Sequence, residues 1–173
     1  MEVITVKKIN SNQIRQLQEI GKKTFFETFS DDNSEENMEK YLKENFSLEK
    51  LSEELNNKKS EFFFAFLHNN ITGYLKINFF DSQTELKSKK TLEIERIYVL
   101  KAFQGEKIGQ FLFQKALDVA NEKKVEYLWL GVWEKNYKAI NFYKKNGFVA
   151  FDKHIFVLGN DKQTDIMMRK ELK

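Results

Sequence analysis

Glu2 to Lys8 alternates, with Val3, Thr5 and Lys7 opposite Ile4, Val6 and Lys8, and this period of two predicts a first strand. Asn10 or Ser11 can cap the next helix, and Gln13 stands three residues after Asn10 as in a capping box. Behind it Ile14, Leu17, Gly21, Phe25 and Thr28 mark one face of a 3.6-period helix. The stretch SDDNSEEN breaks that period. Ser34 or Asn33 opens a second helix through Met38, Tyr41 and Leu42, and Ser47 begins a short third one holding Leu48, Leu51 and Leu55.

Two strands come next, Glu61 to His68 and Ile71 to Phe80, with Asn69-Asn70 as the expected hairpin turn. Phe62, Phe64 and Phe66 share one face while Phe63 and Ala65 take the other, so both faces of the sheet should be covered. The polar loop DSQTELKSKK reads as mobile. Thr91 to Val99 is the following strand, then a helix runs from about Lys107 to Asn121 with Leu112, Ala116, Val119 and Ala120 as its apolar side. Tyr127 to Trp133 is almost continuously apolar, the pattern of a strand buried on both faces. Asn136 to Asn146 forms a helix closed by Gly147, and Phe148 to Leu158 and Thr164 to Lys170 are strands joined through GNDKQ. The order βααα-ββ-β-α-β-α-ββ, without repeat or linker, predicts one α/β domain over residues 1–173 with a mixed sheet.

Composition narrows the chemistry more than it widens it. The chain has no cysteine, which excludes disulfides, thiolate metal sites and a cysteine nucleophile. His68 and His154 make no metal-ligand spacing, and no G-x-S-x-G elbow carries a serine nucleophile. The net charge of +3 comes from scattered lysines, and Arg15, Arg96 and Arg169 are the only arginines, so no basic face for nucleic acid is expected. No run approaches the ~18 apolar residues of a membrane span, and the N-terminus lacks the features of an export signal. The expectation is an intracellular, cytoplasmic protein with neither nucleic-acid nor membrane partners.

The segment ERIYVLKAFQGEKIGQFLFQKAL joins a strand to a helix through Gly105 and Gly109. Such a junction turns free backbone N–H groups toward whatever lies before it, which suits a phosphate, although taken alone ordinary helix entry is the commoner explanation of the glycines. With LEIERIYV (92–99), FQGEKIG (103–109) and WLGVWEKNYKAINFYKKNGF (129–148), supported by FETFSDDNSEENMEKYL (26–42) and KQTDIMM (162–168), the chain resembles the GNAT superfamily of N-acetyltransferases. Within it, the chain looks like the bacterial Pai-type spermidine/spermine acetyltransferases.

The resemblance implies a mixed sheet splayed between its fourth and fifth strands and flanked by helices, with acetyl-CoA as donor. It implies that the pantetheine arm runs along Ile97, Tyr98 and Val99, and that Gly131, Val132 and Trp133 lie at the opening. The pyrophosphate would meet the turn Gln104, Gly105, Glu106, Lys107, Ile108, Gly109 and the adjoining Gln110, with Lys107 where the family has its first glycine. A helical Lys107 would fit there; a positive φ would strain it. Asn136 matches the asparagine that holds the cofactor arm, and by itself also reads as a helix cap. Tyr143 matches the tyrosine that protonates the departing thiolate, and by itself also reads as a packed aromatic.

Glu95 is the expected proton acceptor, with an ion pair to a lysine or a neighbouring strand as the alternative, and Arg96 is expected to point the other way and tie down structure. Phe29, Asp31, Asp32, Glu35, Glu93 and Trp133 are expected to line the groove for a small cationic amine, although acidic residues favour helix starts whatever their function. No metal is expected. Acetylation of a protein N-terminus, a lysine or another small amine is an alternative. A non-catalytic acetyl-CoA-binding module is another; its self-association as a homodimer would use the edge near FFFAFLH or the late hairpin.

Overall fold

In the computed structural model, which describes residues 3–172, seven strands form one sheet in the order β1-β2-β3-β4-β5-β7-β6. The strands are β1 (Ile4–Lys8), β2 (Ser60–Leu67), β3 (Asn70–Phe79), β4 (Thr91–Val99), β5 (Tyr127–Trp133), β6 (Val149–Leu158) and β7 (Asp161–Glu171). Helices α1 (Ile14–Phe29), α2 (Glu35–Asn45) and α3 (Leu48–Asn56) cover one face, while α4 (Ile108–Glu122) and α5 (Tyr137–Lys145) cover the other. Among the described residues only the β4–β5 pair is parallel, and the connection between them carries α4. The Glu2 end of the expected first strand lies outside the described residues.

The local punctuation follows the residue chemistry. The capping box between Asn10 and Gln13 forms, leading through one 3-10 turn into α1, and the hydroxyls of Ser34 and Ser47 cap α2 and α3. The two faces of β2 divide as the alternation requires. Phe62 and Phe64 join the core under α1–α3, while Phe63, Ala65 and Leu67 join the core under α4 and α5.

Several details depart from the sequence pattern. The hairpin turn is His68–Asn69, both at positive φ, because Leu67 pairs with Asn70. The last strand begins at Asp161, so its turn shrinks to Gly159–Asn160. The polar loop after β3 is pinned. Buried Gln83 accepts from Thr91 Oγ1 and from Trp129 Nε1, each at 2.7 Å, and Thr84 bonds to Glu93. The expected edge near β2 is covered by β1, so β1 and β6 are the strands at the sheet's margins.

A bulge in β4 has the largest consequence for the site. Lys76 pairs with Arg96 but Ile77 pairs with Ile94, leaving Glu95 as the extra residue. Parity flips there: Leu92 and Ile94 before it, and Ile97 and Val99 after it, all face α4. Arg96 therefore joins Glu95 on the α1–α3 side. The expectation that Arg96 points away fails because strict alternation does not survive a bulge.

Candidate active site

Strand β4 pairs with β5 only from Thr91 to Glu93, against Tyr127 to Trp129. Beyond Glu93 the two strands part, and the gap opens into a cavity of ≈ 1180 Å³ that passes through the sheet. Its walls come from both helical faces: Phe25, Phe29 and Tyr41 on one side, Ile108, Ala139 and Tyr143 on the other. Main-chain groups of β4 from Ile94 to Val99 have no β5 partner across the gap. The carbonyl of Val99 receives the side-chain amide of Gln104 instead, at 3.2 Å.

On the α4 side the cavity is bordered by groups of positive polarity. Helix α4 begins at Ile108, and the carbonyl of Lys107 takes the amides of Gln110 and Phe111. The amides of Ile108 and Gly109, in the first turn, have no intrahelical acceptor and sit at the positive end of the helix dipole. Lys101, Lys107 and Lys138 line the same rim, with Lys138 donating to Gln104 at 2.8 Å. Gln104, Gly105, Lys107, Ile108, Gly109 and Gln110 all line the cavity; Glu106 is exposed and does not. Gln110 also donates to Asn146. Lys107 has φ 66°, the left-handed conformation a glycine would take without strain, so the helical alternative does not hold.

Helix α5 places Asn136 and Tyr143 seven residues apart, two turns along one face, which explains that spacing. Asn136 lines the cavity while its side-chain oxygen accepts the amide of Ala139 at 3.2 Å, so the capping reading holds. Tyr143 lines the cavity too, although only 7% exposed, with its ring against Phe142 and Phe148. Burial pushes its phenol above the ordinary value, so it stays protonated at neutral pH.

The α1–α3 side is a wall of side chains. Phe25 stacks on Tyr41 at 4.4 Å, and Phe29 packs against Trp133 at 5.4 Å and Phe156 at 6.2 Å. Glu93 is buried and accepts from Asn78 at 3.0 Å and from the amide and hydroxyl of Thr84 at 2.8 and 2.5 Å. Burial, then repulsion from Glu95, pushes its carboxyl above the ordinary value, opposed by those bonds. Glu95 forms an ion pair with Lys76 and lies 3.9 Å from Arg96 Nε. Burial pushes its carboxyl up, but Arg96 and Lys76 outweigh burial and hold it below the ordinary range. Arg96 in turn grips Glu54 through two bonds at 3.0 and 3.2 Å and lies over the Phe46 ring. Of the two readings open for Glu95, the geometry favours the ion pair.

Asp31, Asp32 and Glu35 are exposed and do not line the cavity. They lie at helix starts, Asp31 and Asp32 in a 3-10 turn and Glu35 directly after the Ser34 cap, where acidic residues sit well against the dipole. The carboxylates that do line the wall besides Glu93 and Glu95 are Glu27, Glu85 and Asp165. Sequence reasoning passed over them because they come from three separate elements. The one signal for Asp165 was its alternation with Ile166 in KQTDIMM.

Residues 15–148 match the Acetyltransferase (GNAT) family. The chain belongs to that family. It is an acetyltransferase that uses acetyl-CoA as donor. The chain is 38% identical to an uncharacterized N-acetyltransferase of Lactobacillus delbrueckii subsp. lactis, over 99% of both chains. It is 26% identical to the spermidine N(1)-acetyltransferase of Thermoplasma acidophilum, covering 86% of this chain and 90% of that one. The crystal structure of the PaiA N-acetyltransferase from Thermoplasma acidophilum in complex with coenzyme A superposes with a TM-score of 0.80 at 24% identity, over 98% of this chain and 99% of that one. The splayed GNAT sheet expected from the sequence is therefore the observed fold. The family's donor fits the residues present: an unpaired strand edge, a helix N-terminus and three lysines bordering one open volume.

Proposed function

We propose that this acetyltransferase acts on a primary amine of a polyamine such as spermidine or spermine, by direct attack within a ternary complex. The observation that carries the reading is the division of the cavity. Lysines and helix amides border its α4 end, and Glu27 meets them there by accepting the amide of Lys101, while Glu85, Glu93, Glu95 and Asp165 line the rest with aromatic rings and with Arg96, which is already paired to Glu54. Carboxylates facing an aromatic wall suit a chain of methylenes carrying ammonium groups. The likeness to a spermidine N(1)-acetyltransferase over most of the chain supports the same reading.

When bound, acetyl-CoA supplies a thioester whose carbonyl carbon is open to an amine. The amides of Ile108 and Gly109 with Lys101, Lys107 and Lys138 would hold its pyrophosphate. The free edge of Ile97 to Val99 would align its arm, with Gln104 releasing the Val99 carbonyl, and Asn136 would add a hydrogen bond. Main-chain N–H groups at the opening would polarise the reacting carbonyl. With no cysteine in the chain, attack is by the amine itself. Tyr143, buried and protonated, would donate to the sulfur that leaves. Glu95, committed to Lys76 and Arg96, is a weak proton acceptor.

The test is release of CoA from acetyl-CoA in the presence of spermidine, spermine, putrescine and lysine-containing peptides. Turnover on the polyamines is the expected result. Turnover confined to peptides overturns the substrate class, and acetyl-CoA binding without turnover on any amine leaves a binding module.

A further inference from the structure

Three strands contribute one row of side chains on the acceptor face of the sheet. Trp133 of β5 pairs with Asp165 of β7, and Asp165 pairs with His154 of β6. Directly paired residues project to the same face, so indole, carboxylate and imidazole lie side by side. All three line the cavity. His154 Nε2 lies 3.5 Å from Asp165 Oδ2. The row reaches the opening because residue 131 is glycine. A Cβ there would lie 3.1 Å from His154 Cε1 and 3.5 Å from Asp165 Oδ2, so imidazole and carboxylate occupy the space beside a bare Cα where β5 has left β4.

Among the carboxylates in this wall, Glu85 is exposed in the loop after β3, and Asp165, held only by His154, is the one beside the bare Cα of Gly131. Three donors fill Glu93, two cations hold Glu95, and Glu27 accepts the amide of Lys101. We infer that Asp165, positioned by His154, takes the proton from the acceptor ammonium. The inference rests on the amine-acetylation reading above. Burial pushes the Asp165 carboxyl above its ordinary value, opposed by His154, which moves its proton affinity in the direction a base requires. The titratable and charged groups that line the same cavity are the phenol of Tyr41 on α2, which burial keeps neutral, Glu27 on α1, Glu93, Glu95 and Arg96 on β4, and His154 on β6.

The protons balance. The ammonium gives one proton to Asp165, which passes it to water. The nitrogen then bonds to the acetyl carbon as the carbon–sulfur bond breaks. Its second proton replaces the one that Tyr143 gives to sulfur.

The experiment compares native enzyme, Asp165→Asn and His154→Gln in two readouts. The first is kcat/KM for spermidine from pH 6 to 9; the second is calorimetric affinity for acetyl-CoA and, in the CoA complex, for spermidine. Asp165→Asn is expected to lose about 100-fold in kcat/KM at pH 7. The deficit narrows toward pH 9 as free amine accumulates. Spermidine binding weakens about tenfold on losing a charge-assisted contact, while acetyl-CoA affinity stays within about twofold. His154→Gln shifts the acid limb of the native profile with a smaller loss. An active native enzyme whose two variants match it across the pH range overturns this inference and leaves the amine reading standing. So does a loss at Asp165→Asn that is constant with pH and accompanied by lost acetyl-CoA binding. A native enzyme silent on every amine overturns both.

Discussion

The two faces of the sheet meet the same cavity with different materials. On the α4–α5 face the contacts are main-chain amides at a helix start, a free strand edge, and exposed lysines. On the α1–α3 face they are side chains locked by other side chains: Glu95 by Lys76 and Arg96, Arg96 by Glu54, Glu93 by Thr84 and Asn78. A backbone site depends on turn geometry and tolerates many side chains. A side-chain site depends on which distant residues the fold brings together, so neighbouring proteins can share a donor site and differ in acceptor.

The largest effect should come from cutting the network on the α1–α3 face. Glu54→Gln leaves Arg96 and Lys76 with one carboxylate between them in a mostly buried setting, and should cost about 3 kcal/mol in urea unfolding. Its amine KM should rise while acetyl-CoA KM holds; the opposite pattern would dissolve the distinction between the faces. The same network sets an acid limit. The Glu95 carboxyl is held below its ordinary value, so its contribution is present above the unfolded pKa and is lost as pH falls through the folded one. Glu95→Gln should flatten the acid limb of the melting-temperature profile.

Tyr143→Phe tests the point where the two faces meet. It should lower kcat by about 100-fold while acetyl-CoA and amine affinities change less than about twofold. Undiminished turnover at saturating substrates would remove the phenol from the mechanism. Lys107→Gly separates fold from function on the donor face. It should raise stability by about 1 kcal/mol by relieving the left-handed backbone. Acetyl-CoA KM should rise a few-fold, with amine KM unchanged. The smallest effects belong to Asp31→Asn, Asp32→Asn and Glu35→Gln, each within about 0.5 kcal/mol of native stability and without change in either KM. A rise in amine KM for any of them would extend the acceptor site to the helix starts.

Most of the donor side was legible in the order of residues alone. Strand β4, the run from Gln104 to Gly109, and the Asn136–Tyr143 spacing are contiguous, and contiguous pattern reports local geometry. Along this stretch the sequence left open the backbone of Lys107, since a lysine can stand in either helical hand, and whether the glycine turn, Asn136 and Tyr143 serve more than helix entry, capping and packing. The acceptor side was read less well. Asp31, Asp32 and Glu35 stand out as a charge cluster but are explained by helix starts, while Glu27, Glu85 and Asp165 are isolated in sequence and converge only in space.

By itself, then, the sequence determined where strands and helices form, which faces of β2 and β5 are apolar, and that the chain carries the motifs of an acetyltransferase. The elements and faces follow from periodicity, caps and short-range turn chemistry; the motifs follow from resemblance to the family. Tertiary structure decided the rest. The β4 bulge turned Arg96 to the α1–α3 face, the early end of β4–β5 pairing opened the cavity through the sheet, and strand register aligned Trp133, Asp165 and His154 beside Gly131. Register and bulges are settled by packing among residues far apart in the chain, and no local pattern records them.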